Sequence, residues 1–216
     1  MRDILPEKVV LIHGLWMTGH EMILLEKRLQ QDGFRTCRFS YKTVMDDLEQ
    51  SARQLFDFVE GLHEKRVHFV CHSLGGLVLN KMLTSNAHSW KGRAVLLGSP
   101  LAGSRLATML KKSRVGGMIV GQKLHQLSSG CKSWPEEYEI GVIGGTLNLG
   151  TGLLLGGWKY PGDGLVALDE IEIPGVKEVY QVRATHIGLV FSAGTAKQIS
   201  CFLKNGFFRQ TADHSS

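Results

Sequence analysis

The stretch Arg66–Leu77, RVHFVCHSLGGL, constrains this chain more than any other. It reads as a short apolar strand, a very tight turn carrying Ser73, and a helix that runs on through Val78, Leu79 and Met82. A serine on so sharp a strand-to-helix turn is a nucleophile elbow: the turn strains the backbone and lifts the hydroxyl clear of the sheet. The residues two before and two after the serine must be small, or the turn clashes with itself. Gly75 meets that demand, and Cys71 stands where the G-x-S-x-G pattern has its first glycine. The helix start also leaves the N–H of Leu74 free and puts a positive dipole end beside it, which suits a developing oxyanion.

The remaining chain repeats one rhythm. Lys8–Ile12 is a nearly all-apolar, β-branched run, as a strand buried on both faces requires. Met22, Leu24, Leu25 and Leu29 recur at helical spacing, and Asp32-Gly33 stops that helix. Residues 34–41 predict a second strand. Asp46 or Asp47 caps a helix carrying Leu48, Leu55, Phe58, Val59 and Leu62. After the elbow come a fourth strand at Ala94–Leu97, a fifth at Tyr138–Gly145 and a last at Val176–Val182. A single closing helix with Leu189, Val190, Ile199 and Leu203 follows. Strands alternating with helices predict an α/β fold, a doubly wound, mostly parallel sheet of about six strands flanked by helices. Ligands in such sheets bind beyond the carboxyl ends of the strands, where His13-Gly14, Ser73 and Ser99 all fall.

A length of 216 residues fits one domain, 1–216, and no linker or repeat divides it. Hydrophobic residues at 43% and charged residues at 21% exclude a disordered chain. A net charge of +5 without a basic run argues against a nucleic-acid partner, and leaves a weak attraction to anionic membrane surfaces. Residues 101–134 are basic and glycine-broken, with a helix expected at 101–112, and form either a small lid or a plain surface helix pair. Residues 140–158 lack any charge and raise the question of a membrane span. Their glycines favour a strand followed by an apolar loop, in which Leu147, Leu149, Leu153, Leu154 and Leu155 line an acyl pocket or pack in the core. No signal-peptide core precedes the first strand, so the expected compartment is the cytoplasm. The four cysteines have no metal-ligand spacing and read as reduced thiols, and neither a metal nor an organic cofactor is called for.

A serine hydroxyl needs a base to take its proton and an acid to orient that base. His186 follows the final strand and precedes a helix, which makes it the candidate base. Asp163 lies in the turn-rich Pro161–Val166 segment after the preceding strand, and Asp169 nearby can take the same role. The order Ser73, Asp163, His186 is the one expected for elbow architectures. The other histidines read as packing or surface residues, with His72 packing or bonding locally beside the serine.

With His13-Gly14, Cys71-His72-Ser73-Leu74-Gly75-Gly76, Gly98-Ser99-Pro100, Asp163-Gly164-Leu165-Val166 and His186, nearly the whole chain resembles the α/β-hydrolase superfamily, and within it the compact lipase/esterase-like enzymes. The resemblance implies catalysis by Ser73, Asp163 and His186, and an oxyanion hole made by the backbone N–H groups of Leu15 and Leu74. His13, Gly14 and Gly75 then shape the loops. The implied activity is a serine carboxylester hydrolase acting through an acyl-enzyme on small acyl-ester or lipid substrates. A thioesterase, an acyltransferase or a peptidase would use the same triad, and a non-catalytic binding protein would share the scaffold. Oligomeric state is not legible in the residues.

Overall fold

Six parallel strands lie in the order β2-β1-β3-β4-β5-β6: β1 (Lys8–Ile12), β2 (Arg35–Phe39), β3 (Val67–His72), β4 (Arg93–Leu97), β5 (Glu139–Gly145) and β6 (Glu178–Val182). The computed structural model describes residues 6–86, 88–111, 121–149 and 160–209. Every pairing among these strands is parallel, and among the described residues no antiparallel strand is added to the sheet. The central strands explain their own composition. Val9, Val10, Leu11 and Ile12 are all fully buried, because helices cover both faces.

Alternate residues of each strand feed opposite layers. Val10, Ile12, Phe69 and Cys71 pack with Leu48, Leu55 and Val59 of α2 (Leu48–Glu60) and Leu77 and Val78 of α3 (Leu74–Ser85). Val9, Leu11, Val70 and Val95 face Leu25 and Leu29 of α1 (Ile23–Gln31) on the other side. The doubly wound sandwich is thus the direct product of the period-two pattern in strands that are apolar on both faces. Asp47 is the acid that caps α2: its carboxylate accepts from the Gln50 N–H at 2.7 Å, and the Gln50 side chain accepts from the Asp47 N–H at 3.0 Å.

Three details depart from sequence expectation. The helix expected over 101–112 starts later, as α4 (Arg105–Lys111), because a turn closed by the Gly103 N–H on the Pro100 carbonyl comes before it. A further helix, α5 (Leu124–Ser129), follows, with Leu124 and Leu127 buried in the main core. Residues 112–120 of the expected lid segment lie outside the described residues. The single closing helix is in fact two, α6 (Gly188–Phe191) and α7 (Ala193–Asn205). Ser192 is extended between them, and its hydroxyl caps α7 by accepting from the Thr195 N–H at 3.1 Å. Ile199, Phe202 and Leu203 of α7 then complete the layer that holds α1.

Residues 140–145 belong to β5, so they form an interior strand of the sheet and not the start of a spanning helix. Among the described residues no helix is long and apolar enough to cross a membrane. Leu147 is half-buried and Leu149 is exposed, while Leu153, Leu154 and Leu155 lie outside the described residues.

Candidate active site

The sheet register sets the site. Ile12 pairs with Cys71 and His72 with Leu97, so β1, β3 and β4 end side by side. The chain order reverses between β1 and β3, and the crevice at such a switch point is where open α/β sheets bind ligands. His13, Ser73 and Gly98 are the first residues beyond these ends.

Ser73 has φ 52° and ψ −119°, a backbone conformation that costs a non-glycine residue of order 1–3 kcal/mol. Neighbouring structure pins it there. The Ser73 N–H donates to the Leu97 carbonyl at 2.9 Å, and α3 starts at the next residue. Close packing behind the turn explains its small residues. A Cβ on Gly75 would lie 2.7 Å from the Ile12 carbonyl oxygen, and one on Gly14 would lie 3.0 Å from the Ser73 Cβ. Cys71 is no obstacle, since its side chain points into the core with Phe69 and Leu96.

Asp163 and His186 meet. The His186 Nδ1 lies 2.7 Å from Asp163 Oδ2, and the His186 N–H donates to the Asp163 carbonyl at 2.9 Å. Both side chains are buried. The other carboxylate oxygen, Oδ1, accepts from the N–H groups of Leu165 at 3.0 Å and Val166 at 2.8 Å. Burial pushes the Asp163 carboxyl up, but the charge and hydrogen bond of His186 and the two amides outweigh it, and the group stays below its ordinary value. Since a carboxylate only accepts, the proton sits on Nδ1, and the Nε2 lone pair of His186 is left to act as a base.

Asp169 is elsewhere. Its carboxylate pairs with the Arg105 guanidinium at 2.6 and 2.7 Å on an exposed face. Asp163 owes its inward aim to the glycines that flank it. A Cβ on Gly162 would meet the Val166 carbonyl oxygen at 2.3 Å, and Gly164 has φ +97°. The chain can therefore fold tightly enough for Asp163 to accept the amides ahead of it.

Two groups near the site have contacts that the sequence did not show. Gly98 has φ +54°, and a Cβ there would lie 2.7 Å from Asp163 Oδ2 and 3.1 Å from His186 Nδ1. His72 is packed in the interior, and its hydrogen bond is not local. Its Nε2–H donates to the His186 carbonyl at 3.0 Å, and the two imidazole centres are 4.6 Å apart. Burial, followed by the charge of His186, pushes the His72 pKa down to about 3, so the ring is neutral. Only proximity in sequence to Ser73 hinted at this link.

The loop after β1 is held by its histidine. His13 Nδ1–H donates to the Gly14 carbonyl at 3.0 Å, and Nε2 accepts from the Tyr41 N–H at 3.3 Å. The Tyr41 hydroxyl donates back to the His13 carbonyl at 3.0 Å, and the two rings stack at 4.7 Å. Both ring nitrogens are spent in one neutral tautomer, and burial lowers the His13 pKa accordingly. In the following turn the N–H groups of Gly14, Trp16 and Met17 go to Met17 Sδ, Thr43 Oγ1 and the Gly14 carbonyl. The N–H of Leu15 has no acceptor among the described residues. Leu74 is the first residue of α3, so its N–H has no acceptor within the helix.

Comparison with known proteins bears on this architecture. Residues 9–191 match the sequence profile of the Alpha/beta hydrolase family. No curated protein matches the chain in sequence. Among solved structures, the mature form of the Bacillus licheniformis lipase BlEst2 superposes with a TM-score of 0.76 at 19% identity, covering 94% of this chain and 92% of the lipase. The propeptide form of the same lipase gives 0.79 at 18% identity, over 99% of this chain and 53% of that one. The esterase EaEST from Exiguobacterium antarcticum gives 0.63 at 14% identity, over 92% of each chain. At these identities the superpositions establish the shape of the backbone, and the match over 9–191 supplies the kinship: the chain belongs to the alpha/beta hydrolase family.

Proposed function

We propose that this protein is a serine carboxylester hydrolase that works through an acyl-enzyme on Ser73. The observation that carries the reading is the buried Asp163–His186 pair, bonded at 2.7 Å, with the His186 carbonyl tied to His72, the residue before a serine held at positive φ. In this mechanism His186 Nε2 takes the Ser73 hydroxyl proton as the oxygen attacks the ester carbonyl. The N–H groups of Leu15 and Leu74 receive the oxyanion. Each such donor contributes on the order of 3 kcal/mol to lowering the barrier. The imidazolium formed is held by Asp163, whose second oxygen is already fixed by two amides and cannot swing away. His186 then returns the proton to the leaving alcohol, and water repeats both steps to free the acid.

Small acyl esters and lipid esters are the substrate class in this reading. The esterase and lipase names carried by proteins of like backbone favour it. The test is turnover of a chain-length series of p-nitrophenyl esters, together with labelling by a fluorophosphonate probe. Wild type should turn over the esters and take the label, and Ser73→Ala should do neither. Labelling that persists in Ser73→Ala refutes the assignment.

A further inference from the structure

Lys123 is fully buried, although it is a lysine. It ends a short 3-10 turn, Gly121–Lys123, just before α5. Its ammonium donates to the carbonyls of Lys42 at 3.2 Å, Thr43 at 3.3 Å and Asp46, and lies 5.5 Å from the centre of the Tyr41 ring. Among the described residues it forms no ion pair, so the three carbonyls and the ring replace the water that the charge gave up. Placing a charge there is costly unless its hydrogen bonds are all supplied. An apolar side chain would fill the same space without that cost. What the ammonium adds is a tie, because three carbonyls of the turn that enters α2 converge on one atom. The approach is tight as well. Gly121 has φ +71°, and a Cβ there would lie 2.1 Å from the Val44 carbonyl oxygen.

The turn that Lys123 grips is the one that holds the loop after β1. Thr43 Oγ1 accepts from the Trp16 N–H at 3.1 Å. Tyr41 bonds to both the ring and the carbonyl of His13. These contacts fall on either side of Leu15. We propose that Lys123 is a positioning residue for the oxyanion hole: from the segment after β4 it clamps the 41–46 turn, and that turn in turn aims the Leu15 amide. The inference rests on the proposed role of Leu15. It ties the docking of the α5 segment to the competence of the site, through a rigid path of hydrogen bonds and one stacked ring pair.

The test uses hydrogen exchange and kinetics on the full chain. In Lys123→Met, amide exchange across residues 13–18 should speed up about tenfold, as expected when a local opening becomes easier. Thr43→Val should loosen the same segment, since it cuts the path one bond later. On p-nitrophenyl acetate, Lys123→Met should lower kcat roughly tenfold with KM within about twofold, a part of what losing an oxyanion donor costs. Affinity for a trifluoromethyl ketone, which places an oxyanion in the hole, should fall in parallel. If Lys123→Met does not fold, Lys123→Gln keeps two of the three N–H donors on a shorter, uncharged side chain, and exchange at 13–18 must still rise at least about threefold. Unchanged exchange at 13–18 overturns the proposal, even if activity falls, because the lysine then only holds its own segment down. Retained esterase activity in Ser73→Ala would instead sink the mechanism, while the exchange data would still report on the clamp.

Discussion

The deepest electrostatic consequence of the site concerns His72. Burial, then the charge of His186, takes its pKa from 6.5 to about 3. In the unfolded chain the same imidazole titrates near its ordinary value of about 6.5. Between pH 6.5 and 3 the unfolded chain therefore binds a proton that the folded protein refuses. Stability must fall as pH falls through that window, at about 1.4 kcal/mol per pH unit. From pH 7 to pH 5 the loss attributable to this one ring is about 2 kcal/mol. His13 and His68, whose pKa values burial also lowers, tilt the curve the same way. Asp163 does not contribute there: its carboxyl lies below the ordinary value and stays charged, so its stabilisation goes only when pH falls through that lower value. The perturbation is His72→Gln, whose side-chain amide can still donate to the His186 carbonyl but cannot titrate. Urea unfolding of both proteins at pH 7 and pH 5 isolates the ring, since the other histidines are common to both. The variant should lose about 2 kcal/mol less than wild type on acidification. Equal losses in the two proteins would refute the claim that a neutral, buried His72 backs the His186 loop.

Two further outcomes follow from the geometry around the pair. Asp163→Asn should lower kcat on p-nitrophenyl acetate by about 10⁴-fold, since an amide can donate to Nδ1 and favour the wrong tautomer. Asp169→Asn should change kcat by less than about twofold, since an exposed ion pair with Arg105 contributes little. Comparable losses in both variants would contradict the assignment of Asp163 as the orienting acid. Gly98→Ala puts a Cβ 2.7 Å from Asp163 Oδ2 at φ +54°. It should cost roughly 10²-fold in kcat by displacing the pair, while the protein still folds with a backbone penalty of about 1–2 kcal/mol read by thermal unfolding.

Much of this protein is local and so was legible in the residues alone. Lys8–Ile12 is apolar at every position but the first, and only a strand covered on both faces explains that. The interrupted amphipathic runs fell between glycines and caps such as Asp47. Ser73 stood out because a strand, a serine and a glycine-rich helix start within a few residues demand one backbone shape. Periodicity and turn chemistry act over a handful of residues, which is the range a sequence displays directly.

What tertiary structure decided is every choice between chemically similar groups. Asp163 and Asp169 are six positions apart and equally acidic. The Gly162–Gly164 turn aims the first at His186, and Arg105, from a helix more than fifty residues earlier, takes the second. Nothing near His72 announces its bond to a carbonyl 114 residues away. Nothing near Lys123 announces that three carbonyls of the 42–46 turn will absorb its charge. Packing against distant chain settles which polar groups lose water, and the partners that replace it are brought together only when the sheet and its helices close.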